Sequence, residues 1–462
     1  MGDRQKAERV DERLDDIHAK QKKMLEAPVE GLILSLALPS TAIMLVTAVY
    51  NLADTYFVSG LGTSATAAIG VVFTLMSVIQ AVGFLFGQGA GNYMSRRLGA
   101  EDYSSAGIMA CTSFFLSMLS GGIIAIFGLF FLDSLLRVLG ASETMLPYAR
   151  EYTRWILVAA PFMTASLTLN NQLRFVANAK MAMYGMLTGA LLNIGLDPLF
   201  IYVFHWGAGG AGLATCISQI ISFCILVVAM QQKESIPIRL QNFKPSAHVL
   251  WWIVHGGSAS LLRQVGNSLG TLCFNHTAGI FGDFAVAAIS VVQRVTSGAI
   301  SAIMGFGQGF QPVCGFNYGA KQYDRVIRGF LFCVKIVTLC LFTFSILGAF
   351  LAPDIIAIFR PDDPDVIAVG AFTLRMQCIT LPWMGLVVLC NMLLQTIGAS
   401  AKANTIAIAR SGLFLMPSIF ILVSVFGLRG LETAQLTADL LTIALALPLA
   451  LASIRKMKAL QN

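Results

Sequence analysis

The chain has 462 residues, of which 56% are hydrophobic and only 12% charged, with a mean hydropathy of +0.74. Soluble domains carry about 25% charged residues, so this chain lacks the polar side chains to cover itself in water. That argues against a soluble enzyme, a disordered chain and a secreted disulfide scaffold. The net charge of +7 does not signal nucleic acid, because Lys and Arg cluster between apolar runs.

In chain order, residues 1–30 hold eight of the 24 acidic residues and lack the apolar core of a signal peptide. They read as a helical cytoplasmic tail. Apolar runs of membrane-spanning length follow near 31–58, 66–95, 104–132, 146–173, 180–203 and 210–231. A polar connector occupies 232–247, and six more runs fit near 248–281, 285–317, 323–352, 366–396, 402–427 and 430–454. Unbroken apolar runs without strand alternation predict helices rather than a barrel. The expected fold is an all-α membrane protein with twelve transmembrane helices in two six-helix lobes. The layout is a tail (1–30), an N-lobe (31–231), a linker (232–247), a C-lobe (248–454) and a short tail (455–462).

Lys and Arg set the orientation. One set of loops carries Arg96, Arg97, Arg174, Lys180, Lys233 and Lys321, together with both tails. The opposite loops offer little beyond Arg137, Arg360 and Arg429, and one is acidic with Asp362, Asp363 and Asp365. Both termini are therefore placed in the cytoplasm, with the body in an inner or plasma membrane. The nine cysteines form no CxxC and find no His at ligand spacing, so they read as small buried apolar residues without disulfides.

The two halves repeat. Phe86-Gly87-Gln88-Gly89 recurs as Phe306-Gly307-Gln308-Gly309, 220 residues later. Gly99-Ala100 and Tyr103 match Gly319-Ala320 and Tyr323 at the same offset, and Ala67-Ala68-Ile69 matches Ala287-Ala288-Ile289. Near Pro161 and Pro382 the offset becomes 221. Each half begins on the same side, which implies a pseudo-twofold along the membrane normal and a cleft between two bundles that can rock. Nothing resembles a channel's selectivity filter.

Of all the acids, only Asp54, Asp197 and Asp439 fall well inside apolar segments. An ionised Asp near a helix centre costs about 2.5–3.5 kcal/mol on insertion scales, so each is expected to face a cavity or a partner. Tyr50 and Asp54 share one helix face at i,i+4, as do Asn193 and Asp197. Pro198 gives no N–H to the carbonyl of Ile194, which frees that oxygen and bends the helix. Thr215 adds a hydroxyl if three helices meet. Tyr50, Asp54, Asn193, Asp197 and Thr215 thus form a candidate proton- or cation-binding cluster. Removing a carboxyl group from water favours its neutral form, and a second carboxylate does so further. The same oxygens suit Na⁺, and the sequence leaves the two readings open.

At the 220 offset Asp54 falls on Phe274 and Asp197 on Pro417, which confines the cluster to the N-lobe. Asp439 has Gln219 as its mate and reads as architectural, with Arg263, Arg294, Lys335, Arg375 and Arg410 in or near C-lobe spans as candidate partners. Gly at small-xxx-small spacing, as in Gly83/Gly87/Gly91 and Gly305/Gly309, predicts close helix packing. No GxxxxGK[ST], HExxH or GxSxG occurs. The expectation is therefore no enzyme, no resident metal and no organic cofactor, with transport driven by an ion gradient. Met and Phe where they line the cleft suit greasy, variable ligands, but they have no residue code, so no cargo-contacting residues are named.

Leu38-Pro39 followed by Tyr50-Asn51-Leu52-Ala53-Asp54-Thr55-Tyr56-Phe57-Val58 resembles the first helix of the multidrug and toxic compound extrusion (MATE) family. Asn193-Ile194-Gly195-Leu196-Asp197-Pro198-Leu199-Phe200-Ile201 resembles its fifth-helix signature, and Leu394-Gln395-Thr396-Ile397-Gly398 with Ala434-Gln435 and Asp439 fits the second half. The resemblance runs from about residue 28 to 454. It implies a twelve-helix antiporter that exports amphipathic, often cationic organic compounds in exchange for H⁺ or Na⁺. In the prokaryotic branch it implies ion binding at Asp54 and Asp197, with Tyr50, Asn193 and Thr215 as neighbours. The branch that uses acids in helices seven and ten is not matched, because 248–281 and 366–396 hold no buried acid. The expected partners are small organic substrates and the lipid bilayer, not nucleic acid, and the protein reads as a monomer. The alternative is a lipid-linked oligosaccharide flippase of the same superfamily, which needs a cationic cleft for pyrophosphate.

Overall fold

The computed structural model describes residues 18–232, 235–359 and 363–461. Most of the N-terminal tail, and Lys233, Arg360 and Asp362 of the charge argument, lie outside the described residues. Residues 18–26 form helix α1. The first half continues with α2 (Val29–Ser59), α3 (Thr63–Gly99), α4 (Tyr103–Phe130), a short α5 (Leu132–Val138), α6 (Leu146–Phe175), α7 (Ala179–Pro198) and α8 (Gly207–Met230). The second half follows with α9 (Ala247–Gly279), α10 (Asp283–Gly319), α11 (Tyr323–Phe350), a short α12 (Ala352–Phe359), α13 (Pro364–Thr396), α14 (Ser400–Ile408), α15 (Leu415–Phe426) and α16 (Leu428–Ala459). Counting α14 and α15 as one bent rod, these make twelve long segments. Ten are apolar enough to cross a membrane. The other two, α6 and α9, are long enough but carry polar residues that are used inside the protein. In α6, Gln172 donates to the Ala110 carbonyl at 3.0 Å and to Ser113 Oγ at 2.8 Å. No strand occurs among the described residues.

The 220-residue repeat is written into the backbone. The bounds of α3 and α10, and of α4 and α11, match residue for residue at that offset. The residues with positive φ also come in pairs: Gly62 (108°) with Gly282 (112°), and Glu101 (62°) with Lys321 (61°). The short α5 and α12, which lie almost wholly in the gaps between the expected spans, are mates as well.

Packing follows the same symmetry. Within each half the fourth long helix is central: α6 contacts α3, α4 and α8, and α13 contacts α10, α11 and α16. Between the halves, α3 crosses α9 while α10 crosses α2, which is the exchange a pseudo-twofold requires. Glycines permit the approach. A Cβ on Gly89 would lie 2.1 Å from the Ile253 carbonyl oxygen, and one on Gly309 would lie 2.3 Å from Ala37 Cα. The repeated Phe-Gly-Gln-Gly motif is therefore an interface element of the kind small residues make in membranes.

One large apolar core, from Met24 and Ile33 through Met94 and Phe310 to Leu394, joins both halves at the end where Lys and Arg cluster. Towards the other end each half keeps its own core, around Tyr152 in the first and Val292 in the second. The seal at the basic end is also polar. Arg96 Nη1 donates to the Thr396 carbonyl at 2.5 Å, and Thr396 Oγ1 donates to Asn92 Oδ1 at 2.8 Å. Arg174, expected in a loop, is instead buried in the last turn of α6, where it hydrogen-bonds Asn171 and, across the interface, Gln308. Above this floor the halves part around a central cavity of about 680 Å³.

Candidate functional site

Asp54 lies in the outer third of α2 and Tyr50 one turn before it. Asn193 and Asp197 lie near the end of α7. Pro198 gives no N–H to Ile194, and the chain beyond it widens into a π-helical turn over Leu199–Val203, in which the Phe204 amide reaches back to the Leu199 carbonyl at 3.0 Å. This turn is tied to α2 by Tyr202, whose hydroxyl donates to the Phe57 carbonyl at 2.6 Å. Thr215 enters from α8.

The structure brings the five sequence-derived residues together, and all are buried, with Asp197 at 0% exposure and Asp54 at 7%. With its amide turned to satisfy both ends, Asn193 donates to Asp197 Oδ2 at 3.0 Å and accepts from Thr215 Oγ1 at 3.2 Å. Tyr50 lies within electrostatic reach of both carboxyl groups, which in turn feel each other. A sixth residue completes the cluster: the Tyr152 hydroxyl of α6 donates to Asp54 Oδ2 at 3.3 Å. Sequence reasoning missed it. A signal was present in the repeat: α6 and α13 align at the 221 offset of Pro161 and Pro382, which pairs Tyr152 with Thr373, so the phenol exists only in the first half. Asp54 Oδ1 is buried without a hydrogen-bond partner. Among the described residues no Lys, Arg or His acts on either carboxyl group.

The acids do not line the cavity. Its wall is formed by Tyr50, Asn193 and Thr215, with Asp54 and Asp197 one layer behind them. Around the wall are apolar and amide side chains from both halves, including Phe73, Met163, Gln293 and Met304. Among the described lining residues only two are charged, Arg410 and Asp439, and both belong to the C-lobe. Asp439 is 3% exposed and accepts from Arg410 Nε at 3.3 Å, Gln435 Nε2 at 2.8 Å and Thr380 Oγ1 at 3.3 Å. One paired arginine does not make the cationic cleft that a pyrophosphate-bearing lipid needs, so the flippase reading is not favoured. Arg263 is engaged elsewhere, with Asn391 Oδ1 at 3.0 Å and Ser260 Oγ at 3.3 Å. No cluster of three or more His, Cys, Asp or Glu able to hold a metal ion occurs among the described residues.

Two pseudo-symmetric helical lobes closed at one end of a shared membrane-embedded cavity define a transporter. The chain belongs to the MatE family, whose model matches residues 39–199 and again 259–421, once in each half. It is similar to the multidrug export protein MepA of Staphylococcus haemolyticus (strain JCSC1435), with 27% identity over 91% of this chain and 93% of that protein. Among solved structures it is similar to a MATE transporter in complex with MaL6, with a TM-score of 0.88 and 28% identity over 95% of this chain and 99% of that one. A multidrug resistance MATE family transporter of the MOP superfamily in its outward-facing conformation matches with a TM-score of 0.88 and 28% identity, over 95% of this chain and 98% of that one. Members of this family are membrane transporters, not enzymes.

Proposed function

We propose that the protein is a multidrug efflux antiporter that expels amphipathic, cationic organic compounds from the cytoplasm in exchange for H⁺, with Na⁺ as the competing coupling ion. The efflux reading leans on the likeness to multidrug export proteins. The coupling reading rests on one observation: two carboxyl groups buried together in the N-lobe with no basic side chain among the described residues to neutralise them. Such a pair out of water must hold a proton or a metal cation, since an isolated buried charge costs far too much. Tyr50, Asn193 and Thr215 stand between this pair and the cavity, so occupancy of the acids is sensed at the wall that cargo touches.

The positive-inside rule puts the sealed basic end in the cytoplasm and both tails on that side. The cavity then faces outward, in the state that takes up the coupling ion and releases cargo. Rocking of the lobes about the α3–α9 and α2–α10 crossings opens the other end. Exchange of one H⁺ for one monovalent cation is electroneutral and draws about 1.4 kcal/mol per pH unit.

The test is transport of a cationic dye in proteoliposomes with a pH gradient or a Na⁺ gradient imposed alone. A pH gradient is expected to suffice. Transport driven by Na⁺ alone would reassign the ion, and transport indifferent to both would remove the antiport reading.

A further inference from the structure

Asp439 and Arg410 stand apart from everything used so far. They are the only charged groups among the described residues of the cavity wall, and they face the cavity from the lobe opposite the ion cluster. The pair is electrically neutral, so hydrogen-bonding capacity decides what it can recognise. Asp439 is well supplied: three donors, from Arg410, Gln435 and Thr380, already fill most of the acceptor sites of one carboxylate. Arg410 is not. Among the described residues its only hydrogen bond leaves from Nε, and its side chain is 21% exposed. Both terminal nitrogens, with four N–H donors, therefore lack protein acceptors at a point deep in the membrane-embedded body.

A guanidinium in that condition is a fork shaped for a carboxylate. Asp439 fixes the fork from behind through Nε, and the π-helical turn Ala409–Phe414 that carries Arg410 lies between α14 and α15. Amide and hydroxyl groups, such as half-buried Gln377 and buried Ser411, also line the cavity.

We propose that Arg410, held by Asp439, is a specificity-determining residue of the cavity wall, whose guanidinium takes the carboxylate of zwitterionic cargo. The carboxylate of the cargo docks on the Arg410 fork. Its cationic or aromatic end lies towards the Tyr50, Asn193 and Thr215 wall, behind which the N-lobe acids sit. This inference rests on the efflux reading above and names one class of its substrates.

The experiment uses the purified full-length protein in detergent and two fluorescent probes: a diaminoxanthene dye with a free benzoate, and the same dye as its methyl ester. The two differ only in the carboxylate. Binding is read by fluorescence anisotropy. Arg410→Gln is expected to weaken the free acid about tenfold, as loss of charge-assisted hydrogen bonds does, and to leave the ester within about twofold, since the ester keeps the apolar contacts. Asp439→Asn is expected to shift the free acid the other way, because it removes a competing carboxylate from the same guanidinium. Retained ester binding shows that each variant is folded. If both variants weaken both probes alike, or if neither changes the preference between them, the pair is structural and the proposal is overturned. If the wild-type protein binds neither probe, the multidrug reading itself fails.

Discussion

The two lobes share helix bounds and several residues with positive φ, yet they treat buried acid in opposite ways. In the N-lobe Asp54 and Asp197 feel each other, receive hydroxyl and amide donors and, among the described residues, meet no basic side chain. In the C-lobe Asp439 is held by Arg410, and the positions equivalent to the N-lobe acids are Phe274 and Pro417. A carboxyl group with a fixed cationic partner has no reason to exchange a proton or a metal ion. One without such a partner must do so whenever its surroundings change. On the reading proposed above, the asymmetry divides labour on a symmetric frame: one lobe for the coupling ion, the other with a charged pair turned to the cavity.

The strongest way to break this comparison is to neutralise acids in each lobe. Asp54→Asn and Asp197→Asn are each expected to reduce gradient-driven dye exchange to the level of protein-free liposomes, with the variants still eluting as intact monodisperse protein. Asp439→Asn is expected to keep its dependence on the imposed gradient for a purely cationic dye. Gradient-driven exchange surviving in both N-lobe variants would end the coupling assignment.

Where the lobes are alike, mates should respond alike. A Cβ on Gly99 would stand 2.0 Å from the Phe316 carbonyl oxygen, and one on Gly319 would stand 2.0 Å from the Arg96 carbonyl oxygen. Backbone on one side and helix on the other leave no room to yield. Gly99→Ala and Gly319→Ala are each expected to cost about 1–3 kcal/mol through overpacking, read as equal drops in thermal stability in detergent. Unequal drops would mean that the two crossings are not equivalent.

Tyr152→Phe strips the N-lobe of a phenol hydroxyl that has no counterpart in the C-lobe, since Thr373 stands at the equivalent position. Among the described residues the change removes the one hydroxyl that donates to Asp54. Loss of a single hydrogen bond is worth about 0.5–1.5 kcal/mol, so the initial rate of exchange is expected to fall between two- and tenfold while cargo binding is unchanged. A rate equal to wild type would place Tyr152 outside the ion site.

Much of this was legible in the sequence, and the rest was hidden for identifiable reasons. Apolar runs and the 220-residue offset gave the helices and the two lobes, because a bilayer demands long spans and a repeat conserves its spacing. Helical spacing put Tyr50 with Asp54 and Asn193 with Asp197, because i,i+4 neighbours share a face whatever surrounds them. Periodicity along one helix is silent about what packs against it, so neither the Tyr152 contact nor the screening of the acids from the cavity could be read. Arg174 was misplaced in a loop because a charge at the end of an apolar run looks the same whether it meets water or, as here, Gln308 of the other lobe. The short α5 and α12 fell in the loops between runs, because helices of seven and eight residues are too short to register as spans.

The smallest expected effect comes from a difference at the basic end. Asp102 caps α4, its side chain accepting from the Ser105 amide at 3.0 Å, whereas its mate Gln322 precedes α11 without a side-chain cap. A capping carboxylate satisfies one of the amide groups that the first turn leaves unpaired, and its loss costs about 1 kcal/mol. Asp102→Ala is therefore expected to lower stability by about that amount and Gln322→Ala to leave it unchanged, with transport unaltered in both. The informative variant is the reciprocal one, Gln322→Asp. If the two turns are truly equivalent in backbone, as the matched φ of Glu101 and Lys321 indicates, an aspartate at 322 should cap α11 as Asp102 caps α4 and raise thermal stability. A destabilised Gln322→Asp would show that the repeat has diverged at this turn in more than its side chains.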